Sequence, residues 1–594
     1  MPDCREAVIS EEYADVITRY GGYREDAREV YGIDCIDFAL NQFVILHFRR
    51  ALAPPLNLTD YSYSTIPKLF TLLDSSAMES SGILRNFNNP VLNLQGEGVL
   101  IGFIDTGIDY THPAFLDKSG KSRILGIWDQ TIQEGDPPQG IAYGTEYTKE
   151  QIDEALRSED PYEVVPSRDE IGHGTFLAGV AAGSEDEEND FIGAAPKADI
   201  LMVKLKPAKQ YLRDYNLIAE DAVAFQENDI MMGITYLMMA AARYRQPVVI
   251  CLGLGSNQGD HAGGSPLSVI LNNAGSQAGV GLSIAAGNET GRGHHYFGMI
   301  PSGESYEDVE IKVAEGERGF VLELWARVPE LFSISFITPR GEVVPRIPVG
   351  PRVSQEIGFL LERTKIHLDY RTTELGAGSQ LAFMRFEAPT PGIWTIRVYN
   401  TLYISGEYHM WLPIHGFVNP ETVFLRPDPY TTLTTPASTY GSLTVAAYNH
   451  VNNSIYLHSS RGYTRLNQVK PDLAAPGVDV FGPAAGGRPA AGGRPEAGAR
   501  PGAGGRPEAG TSSGAGGYTR KTGTSVAAAI AAGAAADLLT WGIVRGNEPL
   551  MNPLQIRSYL ITGANRQQSL DYPNREWGYG TLNLYSTFEN LSRR

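Results

Sequence analysis

The sequence predicts an α/β protein: a parallel sheet with helices on both faces, interrupted by an antiparallel β-sandwich or jelly roll and led by a small α+β unit. Three observations carry this. Continuous apolar runs at 98–105, 199–205 and 247–254 alternate with a helically spaced stretch at 229–243, and apolar strands separated by helices make a parallel sheet. Between about Ile300 and Pro429 the pattern changes to period-two strands, FVLELW (320–325), FSISFI (332–337), LAFMRF (381–386) and IWTIRVY (393–399), parted by Pro and Gly turns. The α/β style resumes at Ser442–Tyr448, so one domain interrupts another.

Taken in order, Glu11–Tyr20 has helical spacing, and Gln42–Phe48 is a short apolar run suited to a buried strand. Pro54, Pro55 and the polar 58–64 stretch then break the pattern, which bounds a leading unit at residues 1–63. The α/β text is assigned to residues 64–299 and 431–594, on either side of the 300–430 insert. Within the second part, residues 482–517 repeat Gly, Ala, Pro and Arg, with Arg488, Arg494, Arg500 and Arg506 at a six-residue period. Such text buries too little apolar area to offset its ordering entropy, so a disordered loop is expected. The alanine-rich residues 524–541 read as a tightly buried helix that begins at a serine.

Composition excludes several classes. The 594 residues carry 49 basic and 68 acidic side chains, a net charge of −19, without a basic stripe to displace counterions from nucleic acid or anionic lipid. Neither a secretory leader in residues 1–24 nor an apolar run of about 18 residues able to span a membrane is read in the chain. Cys4, Cys35 and Cys251 are scattered without metal-ligand spacing, so reduced thiols are expected, and no metal or other cofactor.

Three short stretches can carry chemistry: Asp105 in FIDTGID, His173 in GHGT and Ser525 in GTS. Singly, each has a plain structural reading, as a turn cap, a helix-start residue between glycines and an N-cap. Together they supply a nucleophile, a base to take its proton and an anion to orient the base. A serine opening a helix also lies beside free backbone N–H groups that can bind an oxyanion. Asn288 in AAGNE offers a second donor, or is only a Gly-Asn turn residue. Leu252, Gly253, Leu254 and Gly255 read either as an edge strand that pairs with a substrate backbone or as ordinary sheet packing. His112 is a weaker alternative base. Asp169 either lines a subsite or caps the helix, and the adjacent His294 and His295 would face opposite ways on a strand and chelate poorly.

IDTGID, GHGTFLAG, AAGN and KTGTSVAAA, in this order, resemble the subtilase family of serine proteases, over about residues 95–298 and from 433 onward. The leading unit, the insert and the phrases IWDQTI and EWGYGTLNLY are similar to the Csp-type germination proteases of clostridia and related gut anaerobes. The resemblance implies a subtilisin-like fold and a serine endopeptidase, with Asp105 orienting the base, His173 as general base and acid, Ser525 as nucleophile and Asn288 as oxyanion donor. It implies a protein or peptide substrate; the missing leader favours a cytoplasmic setting, and the resemblance a spore-associated one. It also makes residues 1–63 a propeptide, self-cleaved near Tyr63 and retained as an inhibitor. The alternatives are a pseudoprotease and a propeptide-occluded sensor or scaffold. Phe176 stands where the family has a second histidine, and Val526 and Ala529 where it has methionine and proline; an aromatic at 176 is expected to fill the same space behind the base.

Overall fold

A computed structural model describes residues 4–23, 26–33, 35–40, 42–72, 81–87, 92–486 and 517–593. Of the expected 482–517 loop, residues 487–516 lie outside the described residues.

The chain opens with three antiparallel strands, β1 (Tyr13–Arg19), β2 (Cys35–Ala39) and β3 (Phe43–Arg49), with β3 in the middle. The helix expected over Glu11–Tyr20 is therefore a strand: β1 pairs with β3 at every position from Tyr13 to Arg19, and the β-branched Val16, Ile17 and Thr18 suit the pleat. The thiol expectation is also corrected, because Cys4 and Cys35 form a disulfide with Cα atoms 5.1 Å apart, while Cys251 is free and buried. The fold places the helix Cys4–Ile9 beside β2, a proximity that 31 residues of separation do not reveal.

Charge fastens this unit to the rest of the chain. Asp15 on β1 is fully buried and accepts from Lys209 Nζ (3.0 Å), Gln226 Nε2 (2.9 Å) and His47 Nδ1 (2.8 Å). Burial works against its ionisation, but Lys209 and His47 outweigh it and hold the carboxyl far below its usual range. His47 responds in kind: burial disfavours its charge, but hydrogen bonds to Asp15 and Asp37 push it up to about 9.

The central sheet has nine strands among the described residues. Its path runs from Ser454–Ile455 through Leu443–Asn449, Val280–Ala285, Val248–Leu252, Leu100–Asp105, Asp199–Lys204 and Ile124–Asp129 to Thr145–Thr148, and Leu473–Pro476 pairs with Leu443–Asn449. Here β5 is Leu100–Asp105, β6 Ile124–Asp129, β7 Thr145–Thr148, β8 Asp199–Lys204, β10 Val248–Leu252 and β12 Val280–Ala285; two short strands of another sheet are β9 (Phe225–Gln226) and β11 (Leu254–Gly255), and β4 is Leu69–Leu72. The inner strands are parallel: β5 pairs with β8 and β10, and β10 with β12. Alternate β5 residues serve two cores, Ile101 and Phe103 packing with the helices His173–Ala182 and Thr524–Leu539, Leu100 and Ile104 with the helix Glu227–Tyr244. That two-sided burial explains the unbroken apolar text.

Residues 295–424 form a six-stranded and a five-stranded antiparallel sheet. Leu322, Leu324, Phe336, Met384, Trp394 and Ile396 meet in the core between them. The four period-two segments fall on the strands Gly319–Arg327, Leu331–Ile337, Ser379–Glu387 and Gly392–Leu402.

All 16 residues of the helix Thr524–Leu539 are buried. With its continuation to Val544 it is, among the described residues, the one helix long and apolar enough to cross a membrane, which the sequence reading did not count. It is 89% buried, which makes it the central core helix. Its Asp537 is the exception to an apolar face: its carboxylate is fully buried, and the Gly96 backbone beside it offsets little of that burial. Burial, reinforced by the charge of Glu97, pushes this carboxyl well above its usual range. A carboxyl raised on folding binds its proton more tightly in the folded state, so its contribution is favourable below the unfolded value near pH 4 and is lost as pH rises above it. Asp537→Asn is therefore expected to gain on the parent by about 1–3 kcal/mol between pH 5 and pH 8, read from urea unfolding at each pH.

Candidate active site

β5 ends at Asp105, whose side chain is 1% exposed. Its Oδ1 accepts from the backbone N–H of Thr106 (2.8 Å), which fixes the carboxylate at the strand end. His173 opens a helix, and its Nδ1 lies 2.8 and 3.0 Å from the two Asp105 oxygens. On the other side of the ring, His173 Nε2 is 3.3 Å from Ser525 Oγ. Nδ1–H donates to the carboxylate, leaving Nε2 to accept the serine proton.

Ser525 is the second residue of its helix, after Gly523 as cap and Thr524; it is not itself the N-cap. Its own N–H is thus among the first four of the helix, which have no intrahelical partner. Asn288 follows β12, and its Oδ1 accepts from Thr524 N (3.1 Å) and Thr524 Oγ1 (3.2 Å), which leaves the amide NH2 as the free end of the side chain. The structure therefore brings Asp105, His173, Ser525 and Asn288 together.

Two glycines allow the approach. A Cβ on Gly174 would lie 2.2 Å from the Gly107 carbonyl, and one on Gly253 would lie 3.0 Å from Ser525 Cβ and 3.2 Å from His173 Cε1. Any other residue at either position would part the site.

Asp169 resolves into a brace. Its Oδ1 accepts from Thr106 Oγ1 (2.7 Å) and Gly172 N (2.8 Å), and its Oδ2 from Thr175 N (2.8 Å) and Thr175 Oγ1 (2.7 Å). One carboxylate thus caps the His173 helix and ties it to the turn after β5. Thr106, which also receives the Gly174 N–H at 3.0 Å, is a partner the sequence reading missed. Phe176 is buried in the helix, with Lys521 Nζ 5.6 Å from its ring centre.

The remaining candidates lie elsewhere. His112 Nε2 donates to Gly517 O (2.8 Å), a loop contact. His294 Nδ1 meets Glu289 (2.8 Å), and His295 Nε2 meets His409 Nδ1 (3.0 Å) and stacks on Trp411. No cluster of three metal-ligating side chains exists among the described residues.

The strand Leu252–Gly255 is not open. Leu252 ends β10, and β11 pairs antiparallel with β4, Leu254 opposite Leu72 and Gly255 opposite Thr71. β4 in turn pairs with β9, Leu69 opposite Gln226 and Phe70 opposite Phe225. The chain's own residues 69–72 thus lie as the middle strand between β11 and β9, with Phe70 fully buried. Tyr63, the expected cleavage point, is buried against the insert: it is 6% exposed and donates its hydroxyl to Glu323 (2.7 Å).

A model of the subtilase family matches residues 96–344 and 427–580, more than half of the chain. The structure of the CspB protease of Clostridium perfringens superposes with a TM-score of 0.73 at 32% identity, covering 87% of this chain and 97% of that one. Thermitase of Thermoactinomyces vulgaris is 27% identical over 194 residues, 33% of this chain and 49% of thermitase. A subtilisin-like protease of Arabidopsis thaliana is 29% identical over 170 residues, 26% of this chain and only 20% of the plant protein's length.

Asp169→Ala strips one acceptor from four donors at once. It is expected to lower stability by about 1–3 kcal/mol in urea unfolding, and an unchanged midpoint would overturn the bracing role.

Proposed function

The chain belongs to the subtilase family, and on that premise we propose that it is a serine endopeptidase that works through an acyl-enzyme and first cuts itself. The observation that carries the reading is the hydrogen-bonded series Asp105, His173, Ser525 at one strand end and two helix starts. In the proposed reaction Ser525 Oγ attacks the scissile carbonyl while His173 Nε2 takes its proton. Asp105 holds the imidazole in the required tautomer and stabilises its charge. The Ser525 N–H and the Asn288 amide receive the carbonyl oxygen as it becomes negative. His173 then gives the proton to the leaving amine, and water repeats the sequence to release the acyl group.

The pairing of β4 with β11 and β9 supports self-cleavage just beyond Leu72, not near Tyr63. A peptide strand held between two edges by backbone hydrogen bonds is the way a protease of this kind takes an extended substrate. The same pairing, with Ser525 fully buried, favours a second stage in which the cut leading segment stays in the cleft as an inhibitor. Protein or peptide chains are the proposed substrates once it leaves.

Intact-mass analysis and N-terminal sequencing test this directly. Wild type is expected to yield a new N-terminus just beyond Leu72, and Ser525→Ala to stay whole; a start at residue 64, or cleavage of the purified alanine variant, would overturn the assignment. Asn288→Ala is expected to slow self-cleavage by roughly 10²–10³, the loss known for the corresponding donor in subtilisin, measured as the rate of appearance of the short fragment.

A further inference from the structure

The strand Gly319–Arg327 of the insert has two faces with different duties. Leu322, Leu324 and Ala326 point into the core between the two sheets. Val321 and Trp325, with Leu381 and Phe383 from the neighbouring strand, are buried on the opposite face in one cluster with Leu58, Tyr63 and Ile66 of the leading segment. Glu323, in the middle of that outer face and directly opposite Phe383, is 2% exposed. A carboxylate on an otherwise apolar, covered sheet face is costly unless donors meet it.

The donors come from three directions. Tyr63 Oη lies 2.7 and 2.8 Å from the two oxygens, Trp325 Nε1 donates at 2.9 Å and Gly259 N at 3.1 Å. The phenol ring is gripped as well as its hydroxyl: Trp325 and Phe383 meet it edge-on, with centroids 5.2 and 6.2 Å away, and Lys68 Nζ stands 4.2 Å from its centre. Ser64 N donates to Glu374 of the insert at 3.3 Å, so the grip continues along the backbone. Two of Glu323's donors belong to the rest of the protein and only Tyr63 to the leading segment. The site is thus built to receive a phenol from outside.

We propose that the outer face of the inserted six-stranded sheet is a tyrosine-binding site, separate from the cleavage cleft, which holds the leading segment in place through Tyr63 after the chain is cut. Its role in inhibition rests on the self-cleavage proposed above, but its existence does not. Nine residues upstream of Leu72, the site adds a hold on the fragment beside the Asp15–Lys209 pair and the backbone pairing over β4. It also gives the insert a task beyond its own stability: it is the wall against which the leading segment is locked.

The test uses full chains carrying Ser525→Ala and, between residues 74 and 80, an inserted recognition sequence for an added endoprotease, so that cutting does not depend on the chain's own activity. After the cut, release of the N-terminal fragment is followed by gel filtration under native conditions. Tyr63→Phe, which keeps the ring and removes the donor, is expected to speed release roughly tenfold to a hundredfold. Glu323→Gln should weaken the same contact from the other side, and the double variant should release far more slowly than the product of the two single effects predicts. Release from Tyr63→Phe within twofold of the parent, or single effects that simply multiply, would overturn the proposal. A failure of self-cleavage would show instead as wild type that stays whole without added protease, leaving these release rates to be judged separately.

Discussion

His173 is the first and Ser525 the second residue of its helix, and their side chains meet because glycine stands where the chain passes closest, at Gly174 and Gly253. The constraint reaches well past these two side chains. A Cβ on Gly533, two turns along the Ser525 helix, would lie 2.4 Å from Ala194 Cβ. The helix carries alanine at nearly every inward position for the same reason, and a larger residue would widen the 3.3 Å gap between Nε2 and Oγ. The carboxylate of Asp169 enforces the approach from the other side, because it ties the His173 helix to the turn that follows Asp105.

The leading segment is held by three kinds of force at three places. A buried ion pair joins Asp15 to Lys209, backbone pairing places β4 between β11 and β9, and the Tyr63 phenol meets Glu323. The first is the least negotiable, because removing either partner leaves a buried charge uncompensated. Asp15 stays ionised far into acid and His47 keeps its proton up to about 9, while burial pulls Lys209 below its usual range.

The motifs were legible because the close meeting of these side chains dictates local text. A carboxylate at a strand end needs an apolar run before it, and close helix starts need the glycines of GHGT and GTS. The insert was legible for a related reason, since two-layer packing writes a period of two. What escaped the sequence was pairing between distant segments. Glu11–Tyr20 has helical spacing but lies against β3, Cys4 meets Cys35 across a turn of the fold, and Leu69–Leu72 carries no motif because its role comes entirely from β11 and β9. Asp169 reads as a subsite or helix-cap residue, and its tie to Thr106 shows only in the distance between them.

The position of β4 has an evolutionary corollary. On the proposed reading, Leu254 and Gly255 select substrates, and they are also the residues that grip the chain's own Leu72 and Thr71. A substitution there that shifts preference toward a new substrate loosens self-recognition in the same stroke, with loss of processing or of restraint unless residues 69–72 change in step. Specificity and self-control in this protein are then inherited as one trait, and lineages should carry paired changes on the two strands.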